Sequence, residues 1–343
     1  MTIPKVIFDT DGGVDDAWAL LMLLKAHSLK IIELLAIITC SGNTDIDYST
    51  INTCRVLEVT GVTNVPVFRG APETMGFLEN PERDNFFGLD GFGDVFPPDA
   101  LPDMSFVNLK EHGVEVLARL IKQYPHEVTY IAVGPPTNLG FALRLSPEIA
   151  DLIHQVFLMG GNFLGIGNIT PYAEFNTFYD PEATDIVLRM LKCPIVVIPW
   201  ETTIPPLNFV NRDWSINLSE IENSNPILDF INPIEEALFK KWPDILYWTC
   251  ADPLTVAVFL AKDLLIISSE DVYASVELQS SDTRGQWLLD HENHKPNVKI
   301  ITHMDTEVFK KCLLWTVDIK SQHLELLEYL QIDSDSKVCR RRK

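Results

Sequence analysis

Short apolar runs alternate with stretches of helical periodicity along most of this chain, and that alternation limits what it can become more than any other feature. Ile3 to Phe8 reads as a strand and Ala17 to Ala26 as a helix; Ile32 to Thr39 is again a strand and Tyr48 to Val59 a helix. The pattern repeats with Val114 to Ile121 (helix), Val128 to Val133 (strand) and Thr137 to Leu145 (helix). It continues with Val156 to Met159 (strand), Pro181 to Leu191 (helix) and Ile195 to Ile198 (strand). The order predicts an α/β fold: one large domain with a central, mostly parallel (mixed) sheet flanked by helices on both faces. Ligands of such sheets bind beyond the carboxyl ends of the strands, so the residues just after each strand are the ones to inspect.

The second half is less regular. Pro226 to Phe239 and Asp252 to Leu260 look helical, with a kink or break expected at Pro233, which cannot donate a helical hydrogen bond. Val272 to Leu278, Trp287 to Leu289 and Val298 to Thr302 look like strands, and Thr306 to Tyr329 like a helix. Arg69 to Glu111 has little periodicity, and a connection that long implies a loop that is either functional or disordered. No Pro/Gly/Ser-rich linker divides the 343 residues, so the expected organisation is one domain over 1–330 and a polar, basic tail over 331–343.

Charge narrows the classes of function. A formal net charge of -21 argues against a nucleic-acid surface, which needs clustered Lys and Arg. The basic run Arg340 to Lys343 reads as a solvated terminus. Six cysteines without C-x-x-C spacing read as reduced thiols rather than a disulfide framework. No apolar run is long enough to span a membrane, and the chain opens on a strand-like run without a basic leader, so the expected compartment is the cytoplasm.

The chemistry gathers where the first strand ends, at Asp9-Thr10-Asp11-Gly12-Gly13-Val14-Asp15-Asp16-Ala17. Four carboxylates within eight residues repel one another unless a cation sits among them, and hard cations such as calcium are bound by clustered oxygen ligands. A plainer reading makes Asp15 and Asp16 acidic residues opening a helix, where the dipole favours negative charge. That reading leaves Asp11, across the turn, unexplained.

Two families share features of this segment. Asp9-Thr10-Asp11-Gly12 resembles the opening of haloacid-dehalogenase-type phosphatases, in which Asp9 would be the nucleophile and Asp11 the acid/base. The whole segment resembles, and fits better, the D-x-D-x-G-x-D-D-A opening of the inosine-uridine-preferring nucleoside hydrolases. Further motifs follow in that family's order: Gly42-Asn43, Gly134-Pro135-Pro136-Thr137-Asn138-Leu139, Met159-Gly160-Gly161, Gly167-Asn168, Ala173-Glu174-Phe175-Asn176, Asp180-Pro181-Glu182-Ala183 and Asp252-Pro253. The resemblance runs from about Lys5 to Ile301, and the ordered series is far more specific than any single motif.

The resemblance implies hydrolysis of the N-glycosidic bond of ribonucleosides to ribose and free base, using a Ca2+-bound water and an aspartate general base. Its implied metal ligands are Asp11, Asp16, Asp252 and the carbonyl of Val133. Asp11 matches the general base, and Asn43 an asparagine near the reacting water. Asp15, Asn168, Glu174 and Asn176 match residues that hold ribose hydroxyls, with Phe175 along the sugar and base. Aromatic residues such as Phe87 and Trp248 are expected to stack on the base. A small-molecule nucleoside is the implied substrate, and a homodimer or homotetramer the implied assembly, with neither nucleic acid nor membrane as partner.

On the base side the chain departs from the pattern. Many members carry His-Gly in the loop after the second helix, where this chain has Phe86-Phe87-Gly88; many carry His before the late Asp-Pro, where it has Ala251. All eight histidines lie outside the motifs. Leaving-group activation would then fall to Asp90, Asp94, Tyr247 or Cys250, or to aromatic stacking on a purine protonated by solvent. A metal-dependent nucleoside-binding protein without catalysis is the alternative from a different functional class.

Overall fold

Strands that are apolar on both faces need cover on both sides. The computed structural model, which describes residues 3–76, 85–208, 210–220, 225–248 and 250–317, builds that sandwich. Its strands are β1 (Lys5–Thr10), β2 (Glu33–Thr39), β3 (Val67–Arg69), β4 (Val128–Ala132), β5 (Gln155–Met159), β6 (Ile195–Ile198), β7 (Ile266–Val276), β8 (Trp287–Asp290) and β9 (Val298–Met304). The helices are α1 (Val14–Ser28), α2 (Ile46–Thr60), α3 (Gly113–Gln123), α4 (Thr137–Leu145), α5 (Phe175–Tyr179), α6 (Pro181–Met190), α7 (Asp213–Ile216), α8 (Pro226–Lys241), α9 (Ala251–Leu265) and α10 (Thr306–Thr316).

One sheet runs in the order β3-β2-β1-β4-β5-β6-β9-β7-β8. Pairing is parallel from β3 through β9; β7 joins β9 and β8 antiparallel, so the sheet is mostly parallel and mixed. The chain builds outward from β1 through β2 to β3 and then returns to lay β4 on the other side of β1. That reversal makes the carboxyl ends of β1 and β4 the crevice in which ligands of open α/β sheets bind.

Residues of α1, α2, α8, α9 and α10 form one apolar core on one face of the sheet, with Trp18, Phe309 and Trp315 among its buried side chains. Residues of α3, α4 and α6 form the other core, around Tyr130, Leu139 and Val187. Buried acidic residues fix several helix starts. Asp180 accepts a hydrogen bond from the Ala183 amide at the start of α6 (3.0 Å), and Glu174 accepts from Asn176 (2.7 Å) and Thr177 (3.0 Å) at the start of α5.

The break expected at Pro233 is absent: α8 runs unbroken through it. The carbonyl that loses its partner belongs to Asp229, which is exposed, so water can satisfy it. The C-terminal helix is described only to Thr316, and the expected tail over 331–343 lies outside the described residues, as does Cys339. The other five cysteines are free thiols. Among the described residues no helix is long and apolar enough to cross a membrane.

Candidate active site

Strand β1 delivers Thr10 and Asp11 to the carboxyl edge of the sheet, where the chain must turn at once into α1. Gly12 makes that turn with φ +80°, and a Cβ there would lie 2.5 Å from the Cα of Ser49. The turn folds Asp16 back under its own loop. One Asp16 oxygen accepts from the Thr10 hydroxyl and the Asp11 amide (3.0 Å), the other from the Gly13 amide (2.8 Å). Asp16 therefore does cap the helix.

Asp15 is not used in this way. Its Oδ1 is sealed from solvent and has no hydrogen-bond partner. Oxygens of Asp15, Asp16 and Asp252 lie within 4.8 Å of one another. Asp252 comes from far along the sequence because α9 packs along α1 and brings its first turn, residues 251 and 252, to the same edge. Burial and the neighbouring Asp16 lift the Asp15 carboxyl to about 7, and burial followed by Asp15 lifts that of Asp252 well above the usual carboxylate range. Such a nest must either take up protons or hold a cation, and an orphaned buried oxygen beside two further carboxylates fits a hard divalent ion.

Asp11 stands beside this triad and is wholly buried. Asn43, just after β2, clamps it: the Asn43 amide donates to Oδ2 (2.7 Å) and its side-chain Nδ2 to Oδ1 (3.2 Å). The clamp is possible because Gly42 has no side chain; a Cβ there would lie 2.0 Å from Asp11 Oδ2.

Further lining comes from the ends of β4 and β5 and from α5 with the residues before it. Glu174 is buried and receives the Gly161, Asn176 and Thr177 amides at 2.7–3.0 Å; burial still lifts its carboxyl to about 7. The Asn176 Nδ2 donates to the carbonyls of Val133 (2.8 Å) and Met159 (3.2 Å). Asn168 is exposed, and its Oδ1 accepts from the Phe175 amide (2.8 Å).

These groups meet in a cavity of ≈ 200 Å³. Its lining includes the polar or backbone-contributing Asp15, Asn43, Val133, Asn168, Glu174, Asn176 and Asp252 together with Phe86, Phe87, Phe175, Ile245, Tyr247 and Ala251. Nearly every residue expected from the sequence is thus drawn together, with Asp11 and Asp16 buried in the turn beside the cavity. Trp248 is not brought in: it is buried edge-on against Trp18, with ring centroids 5.4 Å apart, and belongs to the core. Met159 and Trp200 also line the cavity, at the ends of β5 and β6, although the motifs assign neither a role. The strand-end rule alone would have found them.

Asp9 faces the opposite fate. It is buried at the sheet centre, bound by the Tyr130 hydroxyl and by Asn138 Nδ2, 3.1 Å from each carboxylate oxygen. It does not line the cavity, and both its oxygens are held by Tyr130 and Asn138, which speaks against a phosphatase nucleophile at this position.

The model of the inosine-uridine preferring nucleoside hydrolases matches residues 6–311. The chain belongs to that family. Its members act on N-glycosidic bonds, and its relatives include the pyrimidine-specific ribonucleoside hydrolase RihA of Salmonella arizonae, 31% identical over 90% of this chain and 96% of that one. The inosine-uridine preferring nucleoside hydrolase of Leishmania major is also 31% identical, over 85% of this chain and 89% of that protein. The match to the probable uridine nucleosidase 1 of Oryza sativa subsp. japonica, 36% identical, spans about half of each chain (53% and 54%). Among solved structures, an inosine-guanosine nucleoside hydrolase superposes with a TM-score of 0.82 at 27% identity, covering 92% of this chain and 99% of that one. The plant nucleoside hydrolase PpNRh1 does so with 0.81 at 26%, covering 92% and 100%.

Proposed function

We propose that this family member hydrolyses ribonucleosides to ribose and free base. The observation that carries the reading is the three-carboxylate nest of Asp15, Asp16 and Asp252 opening into a cavity also lined by Glu174 and Asn176. A ribose ring presents a row of hydroxyls, each both donor and acceptor, and these two residues supply fixed acceptors at that scale. Glu174 is immobilised by backbone amides. Asn176 spends its amide protons on two carbonyls, which leaves Oδ1 to accept from a hydroxyl. Phe175 would lie along the sugar and Phe87 along the base.

For the nest we propose calcium, held by Asp16, Asp252 and the Val133 carbonyl, with Asp15 or Asp11 completing the carboxylate set; an all-oxygen site of this kind suits a hard ion. The ion's contribution would be that of a Lewis acid, lowering the pKa of a water and anchoring sugar hydroxyls. Asp11 then serves as the general base. Asn43 holds its carboxylate in one orientation, so the proton acceptor is positioned before substrate arrives. Cleavage passes through an oxocarbenium-like sugar, which the surrounding carboxylates favour electrostatically.

The test is to incubate the purified protein with a panel of purine and pyrimidine ribonucleosides in calcium and measure reducing sugar. Ribose release from at least one nucleoside supports the reading. Binding of nucleosides without any release of sugar would leave a binding protein instead.

A further inference from the structure

Hydrolysis of a nucleoside in this cavity leaves the departing base without a partner. A purine or pyrimidine anion leaves poorly unless a proton reaches it as the C1′–N bond breaks. The carboxylates in the cavity lining are Asp15, Glu174 and Asp252; its apolar part, Phe86, Phe87, Trp200, Ile245 and Ala251, suits the base, and none of these has a proton to give up, since an indole N–H donates a hydrogen bond but is not an acid.

The other acidic candidates are otherwise engaged. Asp90 accepts from the Phe92 (2.7 Å) and Asp94 (2.9 Å) amides, and Asp94 from Leu89 (2.8 Å) and Asp90 (3.0 Å), so both tie their own loop together outside the cavity lining. Cys250 is buried, outside the lining, and its thiol is pushed up by burial. Among the described residues no histidine lines the cavity.

Tyr247 remains. It lies between α8 and α9, four residues before Ala251, and lines the same cavity as Ala251 and Asp252. Its backbone is pinned by a bridge to Asn211, and the next residue anchors the segment: the Trp248 amide donates to Val210 (2.8 Å) while its ring is buried against Trp18. Trp248 is in the core, and neighbouring side chains of an extended backbone point opposite ways, which accords with Tyr247 lining the cavity instead. Its hydroxyl has no hydrogen-bond partner among the described residues. A half-buried phenol in the cavity lining, held by its backbone and unengaged at its oxygen, is available as a proton donor to a base bound there.

Resting on the nucleosidase reading, we propose that Tyr247 is the catalytic acid that protonates the leaving base, in place of the histidine that Ala251 replaces. As the C1′–N bond breaks, its electron pair stays on the base, which takes the phenol proton at a ring nitrogen or carbonyl oxygen. Water forms the new C1′–O bond and gives its proton to Asp11. Solvent then returns a proton to the Tyr247 oxygen and removes one from Asp11, so the sum is nucleoside plus water giving ribose plus neutral base.

The experiment compares wild type with Tyr247→Phe on inosine, uridine and p-nitrophenyl riboside, whose phenolate departs without a proton. The variant removes only an unpartnered oxygen, so the fold should survive. The expected result is a kcat/KM loss of about 10²–10⁴-fold on the nucleosides, carried by kcat, with a much smaller loss on the nitrophenyl riboside. Equal losses on all substrates, or none on any, would overturn the assignment. Wild type that cleaves inosine or uridine while Tyr247→Phe does so equally well overturns the assignment and leaves the nucleosidase reading standing; wild type that cleaves only the nitrophenyl riboside would overturn the assignment and hydrolysis of inosine and uridine together. Wild type that cleaves none of the three would overturn both.

Discussion

Replacing Gly42 with alanine should disable the site while sparing the fold. The added methyl carbon would sit 2.0 Å from Asp11 Oδ2 and 2.7 Å from its Cγ. Ordinary non-bonded contact begins near 3.4 Å, so the carboxylate must retreat by ~1.4 Å. That retreat breaks the 2.7 Å bond from the Asn43 amide, a hydrogen bond to a charged group worth about 1.5–3 kcal/mol. A misplacement of about 1 Å in a reacting group costs roughly 10²-fold in rate. We therefore expect Gly42→Ala to lower kcat on p-nitrophenyl riboside by about 10²-fold or more. The melting temperature should fall by only a few degrees, with an unchanged circular dichroism spectrum. The assay is release of nitrophenolate under saturating substrate. Full activity in a folded Gly42→Ala protein would refute the placement of Asp11 as the base, because no carboxylate held there could keep its position.

A chelator should lower the melting temperature of the wild type, since an ion present at 1,000 times its Kd contributes about 4.1 kcal/mol, and Asp252→Asn should abolish that sensitivity. Melting curves indifferent to chelation would remove the cation from the account. Asp9→Asn replaces one acceptor oxygen with an NH2 donor that faces the Tyr130 and Asn138 donors, so it should cost about 1–3 kcal/mol of stability while nucleoside affinity by calorimetry changes little. Phosphate release from nucleoside monophosphates, lost in that variant, would point instead to the phosphatase class. Phe87→Ala should raise KM for nucleosides with little change in melting, whereas Trp248→Ala should cost about 3–5 kcal/mol of stability. The opposite pattern would place Trp248, not Phe87, on the base.

The parallel half of the fold is legible because buried parallel strands are written as unbroken apolar runs, such as Val6-Ile7-Phe8, and their neighbours as helical stripes. Strand β3 is not, since three residues between Pro66 and Gly70 carry too little pattern. The acidic turn can be read from Asp11, Gly12, Asp15 and Asp16 alone, but not the division of labour within it. Whether Asp15 or Asp16 satisfies the helix start depends on how the turn folds back, and it is Asp16 that does so. Asp252 can be placed by resemblance but not by spacing, because it arrives through the packing of α9 on α1. Trp248 shows the limit of composition near a motif: in an extended segment neighbouring side chains point opposite ways, so Tyr247 reaches the cavity and Trp248 the core. Pro233 does not break its helix because a missing helical hydrogen bond matters only where the carbonyl is buried, and Asp229 is exposed; sequence alone does not tell which side of α8 faces water there.

The most direct measurement follows one nucleoside to its products in phosphate-free buffer, by chromatography of the base and a reducing-sugar assay run together, for wild type and Asp11→Asn. Equimolar free base and ribose are expected from the wild type, and a variant that still binds the nucleoside but releases neither. Equal product release by Asp11→Asn, or base appearing without stoichiometric ribose, would contradict it.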